Sequence, residues 1–143
     1  MNRAVRTVEP GTSVGEVARV MVLNRIAGVF VTEGGRLLGV VSEKDILRAL
    51  YPSYMEFVDT PESHMDFEEM EERYNEIKGL RAERLMTKTI VSVTPETPIL
   101  RAASLMVLHK VRRLPVLEAD GGVVGVVSQG DVHMAVFERQ FLR

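Results

Sequence analysis

Apolar positions along the chain switch between a helical and a strand-like period, and they do so twice in the same order. A short apolar run, Val5 to Val8, stops at Pro10. Val14, Val17, Ala18, Met21 and Val22 then recur at helical spacing and predict a helix from about Val14 to Leu23. Two β-rich runs follow, Val29–Thr32 and Leu37–Val41, on either side of Gly34-Gly35, a pair that can supply the positive φ of a tight hairpin. A further helix is expected after Ser42. Downstream the order returns. Ile90 to Val93 stops at Pro95, and Ile99, Ala102, Ala103, Leu105 and Met106 mark a helix from about Ile99 to His109. Leu114–Leu117 and Val123–Val127 flank Asp120-Gly121-Gly122, and a helix is expected after Ser128. The helix starts are marked as well. Ser13-Val14-Gly15-Glu16 fits a capping box, and Thr97-Pro98 sets a cap before a proline in the first turn.

The two halves align residue by residue. Val8-Glu9-Pro10-Gly11-Thr12 recurs as Val93-Thr94-Pro95-Glu96-Thr97, and Met21-Val22-Leu23 as Met106-Val107-Leu108, 85 residues later. Gly39-Val40-Val41-Ser42 recurs as Gly125-Val126-Val127-Ser128 and Asp45 as Asp131, 86 residues later. The extra residue falls in a turn, where insertions are tolerated. Each copy therefore reads β-α-β-β-α. One copy alone is too small to bury a sufficient core. The expectation is an α+β fold in which two repeats, 1–50 and 86–143, pack as a pseudo-two-fold pair around one core, with a ligand-sized cleft at their interface.

Residues 51–85 stand apart as an inter-repeat insertion. Tyr51-Pro52-Ser53-Tyr54 breaks the preceding helix and Thr60-Pro61-Glu62-Ser63 reads as loop. From Met65 to Leu85 the pattern is helical, with Phe67, Met70, Tyr74 and Ile77 on one stripe. The polar face is acidic early and basic late, which complements a helix dipole. An extra amphipathic helix is expected, covering its own chain or a sister subunit, the alternative being another protein. Gly79 weakens it near its end.

Composition narrows the function. The chain has 143 residues, 45% hydrophobic and 27% charged, with 18 basic against 20 acidic side chains and a net charge of −2. That balance offers no global attraction for nucleic acid or an anionic membrane. There is no cysteine, no apolar leader at the N-terminus and no run long enough to span a bilayer, so a cytoplasmic protein is expected. His64, His109 and His133 stand singly, without metal-ligand spacing. No GxSxG, Walker A or GxGxxG pattern occurs, and neither a catalytic nor a metal-binding residue is expected.

One motif remains, and it occurs in both copies: Ser42-Glu43-Lys44-Asp45 and Ser128-Gln129-Gly130-Asp131. Each follows a glycine-containing apolar strand and opens a helix. Ser-x-x-Asp in that place can be a capping box that satisfies orphan amides. The same place suits an anionic ligand, because a helix N-terminus presents free N–H groups and a positive dipole end.

The run Val-x-Pro-x-Thr, a Met-bearing helix, Arg113-Leu114-Pro115-Val116 and Gly-Val-Val-Ser-x-x-Asp resembles the CBS repeat, and both copies match it. The second copy fits better. The first has Ile26-Ala27-Gly28-Val29-Phe30-Val31, without the basic pair or the proline. The resemblance implies a non-enzymatic regulatory module that binds AMP, ADP or ATP between repeats. Other adenosyl ligands (S-adenosylmethionine, NADH, cyclic di-AMP) and a ligand-free structural module remain alternatives. It implies hydroxyl-to-phosphate contacts from Ser42 and Ser128 and carboxylate-to-ribose contacts from Asp45 and Asp131. It implies that Thr89 and Ile90, and more weakly Ala4 and Val5, frame the adenine. Arg112 and Arg113, with Leu114 and Pro115, match the segment whose basic pair faces phosphate in the regulatory gamma subunits of AMP-activated kinases. The cleft of Asp45 would then borrow the basic pair and that of Asp131 would face the uncharged Ala27 and Gly28. Because the repeats fill the chain, the output is expected to pass in trans to a separate effector protein, from a homodimer.

Overall fold

The computed structural model describes residues 5–50 and 67–142, with the backbone alone for Phe67, Glu69 and Met70. The expected order appears twice. The first copy runs β1 (Thr7–Val8), α1 (Val14–Asn24), β2 (Gly28–Glu33), β3 (Arg36–Ser42) and α2 (Glu43–Leu50). The insertion contributes α3 (Phe67–Ile77) and α4 (Ala82–Leu85). The second copy runs α5 (Ile99–His109), β4 (Arg113–Leu117), β5 (Val123–Ser128) and α6 (Gln129–Phe141). In the first sheet the order is β1-β2-β3, with β1 parallel to β2; β4 and β5 pair antiparallel. Gly34 and Gly35 take the positive φ that the first hairpin turn requires (60° and 81°).

The helix ends repeat as faithfully as the strands. Arg25 and Lys110, equivalent residues, both cap their helices in the left-handed conformation, and each donates its N–H to two carbonyls of the last turn. The starts differ. Ser13 accepts the Glu16 N–H at 3.1 Å as expected. The Thr97 hydroxyl instead accepts from the Thr94 N–H at 2.9 Å, and Pro98 itself occupies the cap position.

Two apolar runs come out shorter than expected. Val5–Val8 is reduced to Thr7–Val8. Ile90–Val93 is reduced to one parallel bridge, Val93 with Val116. The cause is Pro115. Val93 donates to the Pro115 carbonyl (3.0 Å) and Leu117 to the Val93 carbonyl (2.8 Å). One more rung, Ser92 with residue 115, needs an N–H at 115, and proline has none. Phe30 stands at that place in the first copy and pairs with Thr7.

The single helix expected from Met65 to Leu85 is two helices with a break at 78–81. Met65, like the loops expected at 51–54 and 60–63 and like His64, lies outside the described residues. The break frees backbone groups that the first copy needs. The Leu80 and Lys78 carbonyls accept the Val14 and Gly15 N–H groups at 2.8 and 2.9 Å. Those amides open α1 and have no intrahelical partner. In return the Ala82 and Glu83 N–H groups, which open α4, donate to the Thr12 and Pro10 carbonyls at 2.7 and 3.1 Å. Gly15 makes this approach feasible, since a Cβ there would stand 3.3 Å from the Lys78 carbonyl.

The described chain forms two compact units. Among the described residues, one holds Thr7–Glu33, Leu38–Leu50 and Phe67–Lys88; the other holds Val5–Arg6, Gly34–Leu37 and Thr89–Leu142. The interior follows this division and gathers in two clusters, one in each unit. Val14, Val17, Val29, Val31 and Val41 are buried with Ile77 and Ala82 of the insertion. Leu114, Val116, Ala102, Met106, Val127 and Val132 form the other cluster. Val22, expected on the inward stripe of α1, is 75% exposed.

Candidate functional site

Each Ser-x-x-Asp motif sits where an apolar strand hands over to a helix. Val41 and Val127 are buried in their clusters and hold the strand end in place. Ser42 and Ser128 are then the last strand residues, and the aspartates fall in the first turns of α2 and α6. The first helical residue after each motif Ser is tied back to its own repeat in the same way in both copies. Glu43 donates its N–H to the Ala27 carbonyl and Gln129 to the Arg112 carbonyl, each at 2.9 Å.

In the second motif the Ser128 N–H donates to Asp131 Oδ2 at 2.9 Å, and the Asp131 N–H donates to Ser128 Oγ at 3.1 Å, a complete capping box. The Ser128 backbone N–H, opposed by partial burial and helped by the Ser128 hydroxyl, holds the Asp131 carboxyl below the usual carboxylate range. Asp131 is therefore ionised near neutrality and presents a carboxylate at a helix N-terminus.

The first motif makes the same bonds and adds others. Asp45 Oδ2 accepts the Ser42 N–H at 2.8 Å and the Ser42 hydroxyl at 3.0 Å, while the Asp45 N–H donates to Ser42 Oγ at 3.3 Å. Asp45 Oδ1 accepts the Thr87 hydroxyl at 3.0 Å, and Arg48 Nη1 stands 3.9 Å from it. The Asp45 side chain is left 9% exposed. Thr87 reaches it because its backbone pairs reciprocally with Val40, at 3.0 and 2.8 Å. Gly39 leaves room for that pairing: a Cβ there would meet the Thr87 carbonyl at 2.9 Å. Sequence reasoning missed Thr87. Its bond spans 42 residues of chain, and no local pattern announces such a contact.

The other predicted residues fall into distinct environments. Thr89 is exposed and Ile90 half-buried, as is Val5; Ala4 lies outside the described residues. Arg112 and Arg113 are exposed, and the β4–β5 register sets Arg113 opposite Ser128. Leu114 and Pro115 are buried, so they pack the interior of their unit. A cavity of about 500 Å3 in the same unit is lined by Ser92, Thr94, Thr97, Arg101 and Glu118 among others, and none of the predicted residues borders it. Among the described residues no group of three or more acidic or histidine side chains could hold a metal ion, and no helix is long and apolar enough to cross a membrane.

Comparison with known proteins covers both copies. The family model of the CBS domain matches residues 1–52 and 82–138. The uncharacterized protein MJ1426 of Methanocaldococcus jannaschii is 31% identical over 130 residues, 82% of this chain and 77% of that protein. The chloroplastic CBS domain-containing protein CBSX2 of Arabidopsis thaliana is 29% identical, and the chain spans 59% of its length. The solved structure of CBSX2 superposes with a TM-score of 0.77 at 29% identity, over 98% of this chain and 92% of that one. CBSX2 has also been solved in complex with AMP (TM-score 0.72, 28% identity, 98% and 94% covered). MJ1225 of M. jannaschii, described as a candidate archaeal homolog of g-AMPK, superposes with a TM-score of 0.73 at 25% identity, over 95% of this chain and 45% of that one.

Proposed function

The chain belongs to the CBS domain family, and from that premise we propose that it is a regulatory module that senses an adenine nucleotide and passes the signal to an effector protein in trans. The observation that carries this is the duplicated Ser-x-x-Asp helix start. A hydroxyl, backbone amides and a carboxyl group meet at each of two helix N-termini, and that of Asp131 is held ionised. A phosphate is drawn to the amides and dipole, and a ribose diol can donate to the carboxylate. The AMP complex of CBSX2, a relative of the same size in its solved form, supports that ligand class. Ser42, Asp45, Ser128 and Asp131 are the residues assigned to ribose and phosphate. Thr89 and Ile90 are assigned to the base, and Arg112 and Arg113 to phosphate charge.

A thermal-shift panel of AMP, ADP, ATP, NADH, S-adenosylmethionine and cyclic di-AMP tests this. A ligand at a hundred times its dissociation constant adds about 2.7 kcal/mol to stability. A clear rise with an adenine mononucleotide is expected, and flat curves across the panel would remove the sensor reading.

A homodimer is part of the same proposal. In the unit of the second repeat Val107, Leu108, Met134, Phe137 and Phe141 are each more than half exposed on α5 and α6. Exposed apolar side chains at such spacing suit a helix-to-helix contact between copies. Sedimentation analysis is expected to find a dimer that Phe137→Asp weakens.

A further inference from the structure

The cavity of about 500 Å3 in the second unit lies away from the Ser-x-x-Asp motif. Leu117 lines it, whereas Arg113, the residue paired with Ser128, stands at the other end of β4, about 13 Å away at the usual strand rise. The apolar part of the lining includes Val93, which is buried, and Leu105 and Leu117, which are half-buried. The lining also carries opposite charges, Arg101 on α5 and Glu118 just after β4. Both are exposed, and neither side chain has an ion pair or hydrogen bond among the described residues. Thr94 and Thr97 add a donor. Thr97 Oγ1 accepts the Thr94 N–H at 2.9 Å, and the two hydroxyls lie 3.2 Å apart, so that one donates to the other. Whichever donates, the proton of the other is left for a ligand.

These features belong to the second copy alone. Thr94, Arg101 and Glu118 stand where the first copy has Glu9, Glu16 and Glu33, so three acidic places there become a hydroxyl, a cation and one carboxylate here. Leu117 stands where the first copy has Thr32, and the residue that lengthens the second copy falls in the turn whose Ala119 and Gly121 wall the cavity. Places that serve the shared fold are kept, as Val31 with Val116 and Met21 with Met106. A free guanidinium beside a spare hydroxyl proton suits a carboxylate, a free carboxylate suits an ammonium, and the volume is that of a small-molecule site. We propose that this cavity is a second ligand site, for a free amino acid with an apolar side chain. Arg101 and the Thr94–Thr97 pair take its carboxylate, Glu118 takes its ammonium, and Val93, Leu105 and Leu117 take its side chain. The site is independent of the nucleotide reading and gives the module a second input.

Calorimetric titration of the full chain with L-leucine, L-methionine and L-phenylalanine, each alone, tests the site. At least one is expected to bind, at one ligand per chain. The N-acetyl form of that amino acid lacks the ammonium and its amide lacks the carboxylate, and each should bind at least about tenfold more weakly, the scale of one hydrogen bond to a charged group. Arg101→Gln and Glu118→Gln should weaken the free amino acid by the same factor. Both positions are exposed, and thermal melts without ligand report that the fold is kept. Both variants should respond to AMP as the native chain does. A loss of AMP affinity in Arg101→Gln would place that residue in the nucleotide site and overturn the second one. If none of the three amino acids binds, if the acetylated and amidated forms bind as tightly as the free one, or if the two variants leave affinity unchanged, the amino-acid site is wrong and the nucleotide reading is untouched.

Discussion

In the first unit the carbonyls of Lys78 and Leu80 accept the opening amides of α1, Thr87 sits on Asp45, and Ile77 and Ala82 join the apolar interior. In the second unit the matching amides of α5, on Ile99 and Leu100, have no partner among the described residues. There Asp131 keeps its capping box with Ser128, and α6 leaves Met134, Phe137 and Phe141 at the surface. The two halves thus share an order of elements and differ in how far the chain completes them. Small residues set this difference. Gly11 and Gly15 let Arg81 and Lys78 pass close to the start of α1, and Glu96 and Leu100 stand at the equivalent places in the second copy. A side chain at the Gly15 position would crowd the Lys78 backbone, which would have to give way before the same seat could form.

The comparison can be broken at several levels. The largest effect is expected in the smaller interior. Leu114, 1% exposed, has Val29 as its counterpart, also 1% exposed. Leu114→Ala should cost about 3 kcal/mol and Val29→Ala about 2 kcal/mol, the difference reflecting the larger cavity left by leucine. Urea unfolding measures both, and an equal or reversed cost would show that the two interiors are packed to different tightness.

Next comes the seat of the insertion. Gly15→Leu installs the side chain of the second copy where a Cβ would stand only 3.3 Å from the Lys78 carbonyl. It should cost about 2 kcal/mol by overpacking and expose the Val14 and residue-15 amides to hydrogen exchange. Leu100→Gly, the reciprocal change, should cost about 1 kcal/mol through helix propensity alone. Equal effects would mean that the insertion is not what separates the halves.

The caps give a smaller effect with a pH signature. Ser128→Ala should cost about 1 kcal/mol by loss of the cap. The Asp131 carboxyl titrates below its unfolded value, so its contribution is complete above about pH 4 and is lost as pH falls through the folded value. Chemical denaturation between pH 6 and pH 2 should show less acid sensitivity in Asp131→Asn than in the native chain. The smallest effect is at Pro115. Pro115→Ala restores an N–H opposite the Val91 carbonyl, and stability should change by a few tenths of a kcal/mol. Hydrogen exchange should nonetheless find the new amide protected, extending the single bridge at Val93 towards the two-rung pairing of the first copy.

Much of the fold was legible because it is local. The helix expected at Ile99–His109 has those limits, since its apolar period and its proline start act within a few residues. Both hairpins were legible from their glycines, and both Ser-x-x-Asp starts formed the cap that their spacing allows. The shortfall at Ile90–Val93 was not legible from that run itself. It depends on a proline in another strand, and a ladder needs donors from both sides. The break at 78–81 was foreshadowed by Gly79, but its purpose was not, because the amides it serves are those of α1.

By itself, then, the sequence determined the repeat, its β-α-β-β-α order and the carboxylate at the start of each second helix, all encoded in short-range period and capping chemistry. Only the tertiary structure decided that Thr87 sits on Asp45, which helix start is closed by the insertion and how the apolar interior divides. Those outcomes turn on contacts between residues far apart in the chain, where a missing Cβ at Gly15 or Gly39 or a hydroxyl at Thr87 has meaning only once the partner backbone has arrived beside it.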